Sequence, residues 1–556
     1  MSEFNEKNQE ERIESIKKKE AEDLAQILSQ KYKLPYLDLS RINIELDALK
    51  ILPEKEAREG EIAIFQKVGK KISVAVRNPE LPQTLQITTR LKDEAYELTI
   101  FMVSETSLQR AWSRYSEVPE FEEVAAGLIS ISKEHLAGYI AKITNINNFK
   151  ELLAPIISAR QLRTASSMVE AILAGAYALE ASDIHIEPQE NEAKLRFRLD
   201  GVLNDIINFP DSVYKLLLSR IKLIGEMKLN VADRPQDGRF TIRINDTDVE
   251  VRASSLPGAY GESIVLRVLH PKAIDVSFEN LGMHESLRKI IEKAINKPNG
   301  MILTTGPTGS GKTTTLYAFI KKILSPEIKI ITIENPVEYH IAGINQSQID
   351  LSKNYDFADA LRAVLRQDPD VILVGEIRDL ATAKTALNAA LTGHLVFSTL
   401  HTNNAFGTVP RLIDLGATPN TIGPAVSVSM AQRLLRVLCE KCKKKEKATA
   451  EEIEFLKKKL AELPETIKKP PLDKLELWKA KGCDACNNMG YKGRIGVYEA
   501  FSIDDEAQRL ILENPPESEY KKLAKHQNML TMEQDAALKI LDGKTSVEEM
   551  RRVLGE

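Results

Sequence analysis

The chain has 556 residues, enough for three or four domains of ordinary size, with 43% hydrophobic and 28% charged residues. The net charge of −4 does not indicate binding to nucleic acid or to an anionic membrane. It does not exclude local basic patches. Only four cysteines are present, which excludes a secreted protein built on disulfides.

Targeting and membrane-spanning segments are not evident. Residues 1–20 are rich in Glu and Lys and contain no apolar signal region. The longest strongly apolar stretch, residues 171–179, is too short to cross a bilayer. We therefore expect a cytoplasmic protein that reaches a membrane only through partners.

The N-terminal part is predicted to be a charged amphipathic helix followed by a small α/β module. Apolar residues recur at roughly helical spacing within residues 1–32: Ile13, Ile16, Leu24 and Ile27. Residues 62–64 and 72–76 are predicted strands. We assign residues 1–120 to this module and residues 121–150 to a linker.

A second module is predicted over residues 151–277. Residues 165–179 form its helix, and residues 183–187 alternate as a strand does. Residues 193–198 pair with that strand, and Asp200-Gly201 marks a turn.

The third module alternates short apolar runs with helix-length segments. The predicted strands are residues 301–305, 329–333, 371–374 and 395–398. Such alternation indicates a mainly parallel sheet covered by helices, hence an α/β fold. The chain then ends in a charged helical region, residues 501–556.

A phosphate-binding loop lies between the first of these strands and a predicted helix over residues 313–324. Its glycines allow backbone N–H groups to face phosphate oxygens, while Lys312 reaches the β- and γ-phosphates and Thr313 binds Mg²⁺. The helix N-terminus adds a favourable dipole. We predict ATP binding by Gly306, Pro307, Thr308, Gly309, Ser310, Gly311, Lys312, Thr313 and Thr314.

Acidic residues at two strand ends could complete the site, because hydrolysis needs a carboxylate that holds Mg²⁺ or activates water. Glu334 and Glu338 follow one strand, and Asp370 and Glu376 flank another. Acids at strand ends are often only helix caps or surface charges. For each of these residues taken alone, that alternative to a catalytic role stays open.

Three further motifs together resemble the secretion ATPases of type II secretion and type IV pili. Residues 331–339 are similar to that family's Asp box, residues 366–379 to its atypical Walker B segment, and residues 392–403 to its His box. The resemblance implies a RecA-like P-loop ATPase core over 278–438. It also implies a preceding PAS-like α+β domain and a tetracysteine zinc insertion over 439–500.

The resemblance assigns roles to individual residues. It implies that Glu338 activates water and that Glu376 serves Mg²⁺ and the γ-phosphate, but which glutamate is the base stays open. Asn335 departs from the family pattern, since an amide cannot act as a base. The resemblance makes His394 and His401 γ-phosphate sensors, the alternative being core histidines.

Arginines of the second module are candidates to neutralise phosphate charge. Residues 234–239 are predicted to form a turn that presents two arginines. The resemblance carries Arg239 and Arg252 over as phosphate contacts, followed by Arg267. The alternative for any one arginine is a surface salt bridge.

All four cysteines form two C-x₂-C pairs separated by a long insertion: Cys439, Cys442, Cys483 and Cys486. Four thiolates at this spacing suit tetrahedral Zn²⁺. The alternatives are free cytosolic thiols or a redox pair.

The leading hypothesis is a cytoplasmic hexameric ATPase that powers type IV pilus assembly or type II secretion. By resemblance it acts through an inner-membrane platform protein and docks on a further membrane partner, without contacting nucleic acid. A nucleic-acid motor and a non-enzymatic nucleotide-binding scaffold are the alternatives. The N-terminal module lacks the Arg-Leu-Gly-type motif of relatives that bind cyclic-di-GMP, so we assign no such ligand.

Overall fold

The computed structural model describes residues 19–42, 44–49, 51–68, 70–93, 96–117, 133–158, 163–244, 247–270, 276–472 and 475–555. The chain divides into two compact units, residues 1–123 and 124–556. Each unit is described by itself below.

The N-terminal unit is a small α/β module. A three-stranded sheet in the order β1-β2-β3 has β1 antiparallel and β3 parallel to β2. Both predicted strands are confirmed, and the helix predicted at the start is present over residues 19–32, while residues 1–18 lie outside the described residues. The elements are α1 (described part 19–32), α2 Leu46–Leu49, α3 Glu54–Glu59, β1 Ile62–Val68, β2 Lys71–Val76, α4 Pro82–Asp93, β3 Glu97–Met102 and α5 Glu105–Ser113.

The second unit begins with an α+β domain, called the middle domain here. Its elements are α6 Lys133–Lys142, α7 Ile146–Ser158, α8 Arg163–Ala178, β4 Asp183–Pro188, β5 Glu192–Leu199, β6 Val202–Pro210, α9 Asp211–Ile224, β7 Gln236–Ile244, β8 Thr247–Gly258 and β9 Gly261–Val268. The strands form one sheet in the order β6-β5-β4-β9-β8-β7. All its pairings are antiparallel, and one face is buried.

The segment predicted as a linker, residues 121–150, differs from that expectation. Its part from residue 133 onward is helical, and Leu136 and Phe149 are buried in the middle-domain core. These two apolar residues are widely spaced, so the sequence pattern did not reveal that both belong to the same core. The middle domain therefore extends N-terminally at least to Lys133.

The third module follows as a seven-stranded sheet in the order β12-β11-β13-β14-β10-β15-β18. Every pairing is parallel except that of β18 with β15, which confirms a mainly parallel sheet. The elements are α10 Glu285–Ile295, β10 Gly300–Thr305, α11 Lys312–Ile323, β11 Ile330–Glu334, β12 Asn345–Gln348, α12 Phe357–Val364, β13 Val371–Val374, α13 Leu380–Leu391, β14 Leu395–Leu400, α14 Thr408–Asp414, α15 Pro419–Ala425 and β15 Val426–Leu438.

The cysteine insertion is smaller than predicted. It contains a two-stranded sheet and one helix, whereas residues 491–500 belong to β18 and so to the main sheet. The remaining elements are β16 Lys444–Lys447, α16 Ala450–Lys459, β17 Glu476–Lys479, β18 Tyr491–Ser502, α17 Asp505–Glu513, α18 Glu517–His526, α19 Met532–Leu541 and α20 Val547–Leu554. The predicted C-terminal helices are confirmed.

Candidate nucleotide site

The P-loop connects the buried strand β10 to α11. Gly306, Gly309 and Gly311 all have positive φ, at 147°, 79° and 88°. A Cβ on Gly306 would lie 2.6 Å from the carbonyl oxygen of Gln432, so the loop conformation requires glycine there. Helix α11 begins at Lys312, and its first N–H groups make the loop an anion site.

The Lys312 ammonium lies at this loop and donates to the carbonyl oxygens of Gly306 at 2.8 Å and Pro307 at 3.1 Å. Burial lowers the pKa of Lys312; the Glu376 carboxylate opposes that shift and the Arg433 guanidinium adds to it. The Lys312 ammonium therefore lies in the field of both an acid and a second cation.

Two residues of β15 brace the P-loop and were missed from the sequence. The fully buried Gln432 donates through Nε2 to the carbonyl oxygen of Ser310 at 2.6 Å. Arg433 lies beside Gly306 and donates to the carbonyl oxygen of Asn403 at 3.3 Å. The sequence signal is a polar Gln-Arg pair inside an apolar run. Only the pairing of β15 with β10 shows that this pair lies next to the P-loop.

Glu376 follows β13 and has only 14% of its side chain exposed. Its carboxylate lies 2.6 Å from Nη2 of Arg378 and 3.5 Å from Nε2 of His401. The segment of His401 is tied to the P-loop strand, because the Thr402 N–H donates to Oγ1 of Thr305 at 2.7 Å. The structure thus brings Glu376 and His401 together next to the end of β10.

Glu334, at the end of β11, is 4% exposed and has three hydrogen-bond donors. They are the Tyr317 hydroxyl at 2.5 Å, Oγ1 of Thr332 at 2.6 Å and Nε2 of Gln346 at 3.2 Å. Burial and the Glu334 charge raise the pKa of Tyr317. These three hydrogen bonds fix the Glu334 carboxylate at the end of β11.

Glu338 is held by an arginine of the middle domain. Nη1 of Arg252 donates to its carboxylate at 2.6 Å, and Nη2 donates to the Val337 carbonyl oxygen at 2.8 Å. The Arg252 side chain is 20% exposed and that of Glu338 is 32% exposed. One guanidinium of the middle domain therefore donates to two consecutive residues of the third module.

Arg252 belongs to a row of charged residues in direct register across five strands, which we call the arginine ladder: Arg239, Arg252, Arg267, Asp183 and Arg198. Residues directly opposite in an antiparallel sheet share one face. Asp183 accepts from Nε of Arg267 at 3.1 Å and lies 3.3 Å from Nε of Arg198. Arg239 lies within β7 and is exposed, so it is a strand residue and not part of the predicted turn.

A cleft of about 1120 Å³ collects many of the predicted residues. Its lining includes Lys312, Thr313, Glu338, Glu376, His401 and Arg267. Thr308, Gly309, Gly311, Thr314 and Glu334 line it as well, as does Asn335. The site therefore combines the P-loop, both candidate glutamates and Arg267, the central member of the arginine ladder.

His394 lies elsewhere. It precedes β14, and its carbonyl oxygen accepts from the Gly300 N–H at 3.1 Å, at the start of β10. Its Nδ1 is 3.0 Å from the Ala389 carbonyl oxygen, at the end of α13. Since each strand residue rises about 3.3 Å, His394 and His401 are on the order of 20 Å apart. The structure places only His401 at the nucleotide edge of the sheet.

The four cysteines converge as the C-x₂-C spacing predicts. Their sulfur atoms all lie within 4.8 Å of one another, and three of the Sγ···Sγ separations are 4.0, 3.8 and 3.8 Å. Zn–S bonds of 2.3 Å in a tetrahedron require sulfurs about 3.8 Å apart. The donor set and geometry fit a structural zinc ion, which would be held by Cys439, Cys442, Cys483 and Cys486.

Comparisons with known proteins agree with this geometry. Residues 159–552 match the family described as "Type II/IV secretion system protein". The chain belongs to this family. Residues 32–121 separately match the "MshEN domain". The resemblance stated from the motifs is thus confirmed.

Individual relatives carry names from both transport systems. The chain is 36% identical to "Type II secretion system protein E" of Aeromonas hydrophila, over 92% of this chain and 97% of that protein. It is 33% identical to "Type IV pilus assembly ATPase PilB" of Myxococcus xanthus, over 96% of this chain and 91% of that protein. These relatives favour a secretion or pilus ATPase over a nucleic-acid motor.

A solved structure supports the fold alone. The ATPase DotB of Legionella pneumophila superposes with a TM-score of 0.50 at 22% identity, covering 69% of this chain and 95% of that one. This likeness confirms the predicted α/β fold. Among the described helices, none is both long enough and apolar enough to cross a bilayer.

Proposed function

We propose that this chain is the ATPase motor of a type IV pilus assembly or type II secretion machine, working as a homohexamer at the inner membrane. In this role it drives a membrane platform protein and docks on a further membrane partner. The observation that carries the proposal is the cleft in which the P-loop, Glu376 and Arg267 meet.

The residues divide the work of hydrolysis as follows. The P-loop amides and Lys312 bind the phosphates of ATP, and Thr313 and Glu376 are positioned to hold Mg²⁺. A bound Mg²⁺ would neutralise phosphate charge. Glu338 activates water, and the exposed His401 responds to the γ-phosphate through its contact with Glu376.

The arginine ladder supplies positive charge that neutralises the negative charge of the phosphoryl group during transfer. An arginine aimed at the transferring phosphoryl group raises hydrolysis rates by roughly 10³ to 10⁵. Arg267 lines the cleft and Arg252 contacts Glu338, and these observations support them over Arg239 as the proposed phosphate contacts. Since the ladder belongs to the middle domain, its approach to the P-loop couples hydrolysis to domain motion.

ATP hydrolysis by the purified full chain tests the proposal. Wild type should hydrolyse ATP in a Mg²⁺-dependent manner, and Lys312→Ala and Glu376→Gln should each abolish turnover. Lys321→Ala, an exposed lysine on the last turn of α11, is the matched control and should retain activity. Wild-type turnover no greater than that of Lys312→Ala, under conditions that give hexamers, would refute the proposal.

A further inference from the structure

The loop that contains the second cysteine pair contacts the middle domain. We call residues 483–493, which begin at Cys483, the clasp loop. Oδ1 of Asn487 accepts the N–H of Ile146, the first residue of α7, at 2.7 Å. The Gly493 N–H donates to Oδ2 of Asp200 at 2.9 Å. Met489 packs against the middle-domain core, so the clasp combines two polar contacts with one apolar contact.

The cysteine cluster determines the shape of this loop. Sγ of Cys486 accepts the backbone N–H groups of Cys483 at 3.2 Å and of Gly490 at 3.3 Å. The Gly490 carbonyl oxygen in turn accepts the N–H of Cys439 at 2.9 Å. The loop also turns through two consecutive left-handed residues, Asn487 and Asn488, at φ 51° and 59°. The same loop conformation therefore brings the cysteine sulfurs together and directs Asn487 towards α7.

The clasp loop contacts the middle domain close to the arginine ladder. Asp200 is the tip of the β5–β6 hairpin, two residues after the ladder residue Arg198. Arg198 also donates to the Gly201 carbonyl oxygen at 3.2 Å and lies 3.3 Å from Asp183. A displaced hairpin tip would thus shift the ladder end that shares Asp183 with Arg267.

We propose that the tetracysteine site, when it holds zinc, fixes the position of the middle domain, with Asn487 and Asp200 as positioning residues. Zinc bound by the four thiolates keeps the clasp loop in the form that caps α7 and holds the hairpin tip. Loss of the metal releases these two contacts and lets the arginine ladder shift relative to the P-loop. The effect on turnover rests on the proposed ATPase function, whereas the docking itself does not.

Amide hydrogen exchange of the full-length, zinc-loaded protein tests the docking without reference to catalysis. Asn487→Gly removes the acceptor while keeping the left-handed backbone accessible. Exchange at the start of α7 should become about fivefold faster, the factor expected for one lost hydrogen bond. Asn488→Gly is the matched control, with the same gain in backbone freedom, and should exchange like wild type. Zinc content should stay at one ion per chain in both variants.

Metal removal and a second contact provide independent measurements. Stripping zinc from wild type with a chelator should accelerate exchange in α7, and binding of a fluorescent ATP analogue should persist because the P-loop is untouched. Asp200→Gly should lower kcat several-fold, whereas Asp200→Asn retains an oxygen acceptor and should recover most of it.

The outcomes separate the two proposals. Unchanged α7 exchange after zinc removal, or equal exchange in the two asparagine variants, overturns the clasp. A wild-type chain that shows zinc-dependent α7 exchange but no ATP hydrolysis supports the clasp and refutes the ATPase function.

Discussion

The buried ion pair of the middle domain should make that domain sensitive to the loss of either partner alone. Lys222 on α9 is 1% exposed and Glu262 on β9 is 6% exposed. Nζ of Lys222 lies 2.7 Å from both carboxylate oxygens of Glu262 and donates to the Val231 carbonyl oxygen at 2.7 Å. This pair therefore connects a helix, a strand and the loop that leads to β7.

Replacing Lys222 by Met keeps the side-chain length but leaves the Glu262 carboxylate buried without a cation. Breaking a buried pair in this way costs about 3–5 kcal/mol. The Val231 carbonyl oxygen adds little to that cost, because Nε2 of Gln236 still donates to it at 2.8 Å. The double variant Lys222→Met/Glu262→Leu removes both charges and should recover most of the loss.

Native-state hydrogen exchange of peptides from α9 and β9 measures the opening free energy of this domain, since a multi-domain chain does not unfold in two states. Lys215→Met is the matched control on the same helix. Its pair with Asp211 is exposed and should be worth less than about 1 kcal/mol. The reasoning is refuted if Lys222→Met costs no more than this control, or if the double variant is as unstable as the single one.

Three further substitutions follow from individual contacts. Burial raises the pKa of Glu499, so the folded state holds that proton more tightly and the free energy of unfolding falls as the pH rises from the ordinary glutamate value. Glu499→Gln removes this titration, so the opening free energy of β18, measured by native-state hydrogen exchange, should depend less on pH between about 5 and 7.5. Gly175→Ala should lower the melting temperature despite better helix propensity, because its Cβ would lie 2.3 Å from the Phe149 ring. Tyr317→Phe removes a donor from buried Glu334 and should cost about 1–3 kcal/mol, measured by hydrogen exchange in β11.

Local patterns in the sequence were sufficient for much of the core. Strand β10 is a short apolar run that ends at a glycine-rich loop, and α11 begins within one residue of the predicted start. The cysteine cluster was predictable because C-x₂-C spacing already limits how two sulfurs can be placed. In both cases the information lies within a few consecutive residues.

Features that depend on strand order were not accessible in the same way. His394 and His401 belong to one motif, yet β14 runs between them and separates them by the height of the sheet. The bracing role of Gln432 depends on β15 lying next to β10, which no local pattern specifies. The register that aligns Arg239, Arg252 and Arg267 likewise arises from pairing between three separate strands.

That register also explains why the arginine ladder and the glutamates belong to one system. Like charges directly opposite on neighbouring strands repel, so Arg252 between Arg239 and Arg267 needs an anion nearby. The carboxylates of Glu338 at 2.6 Å and Glu250 at 3.2 Å fill that need in the structure. ATP phosphates are anions of the same kind, and with the proposed function they compete with Glu338 for the guanidinium donors. Arg252 moving to phosphate would then release Glu338 to accept a proton from water, so binding and base activation become one event.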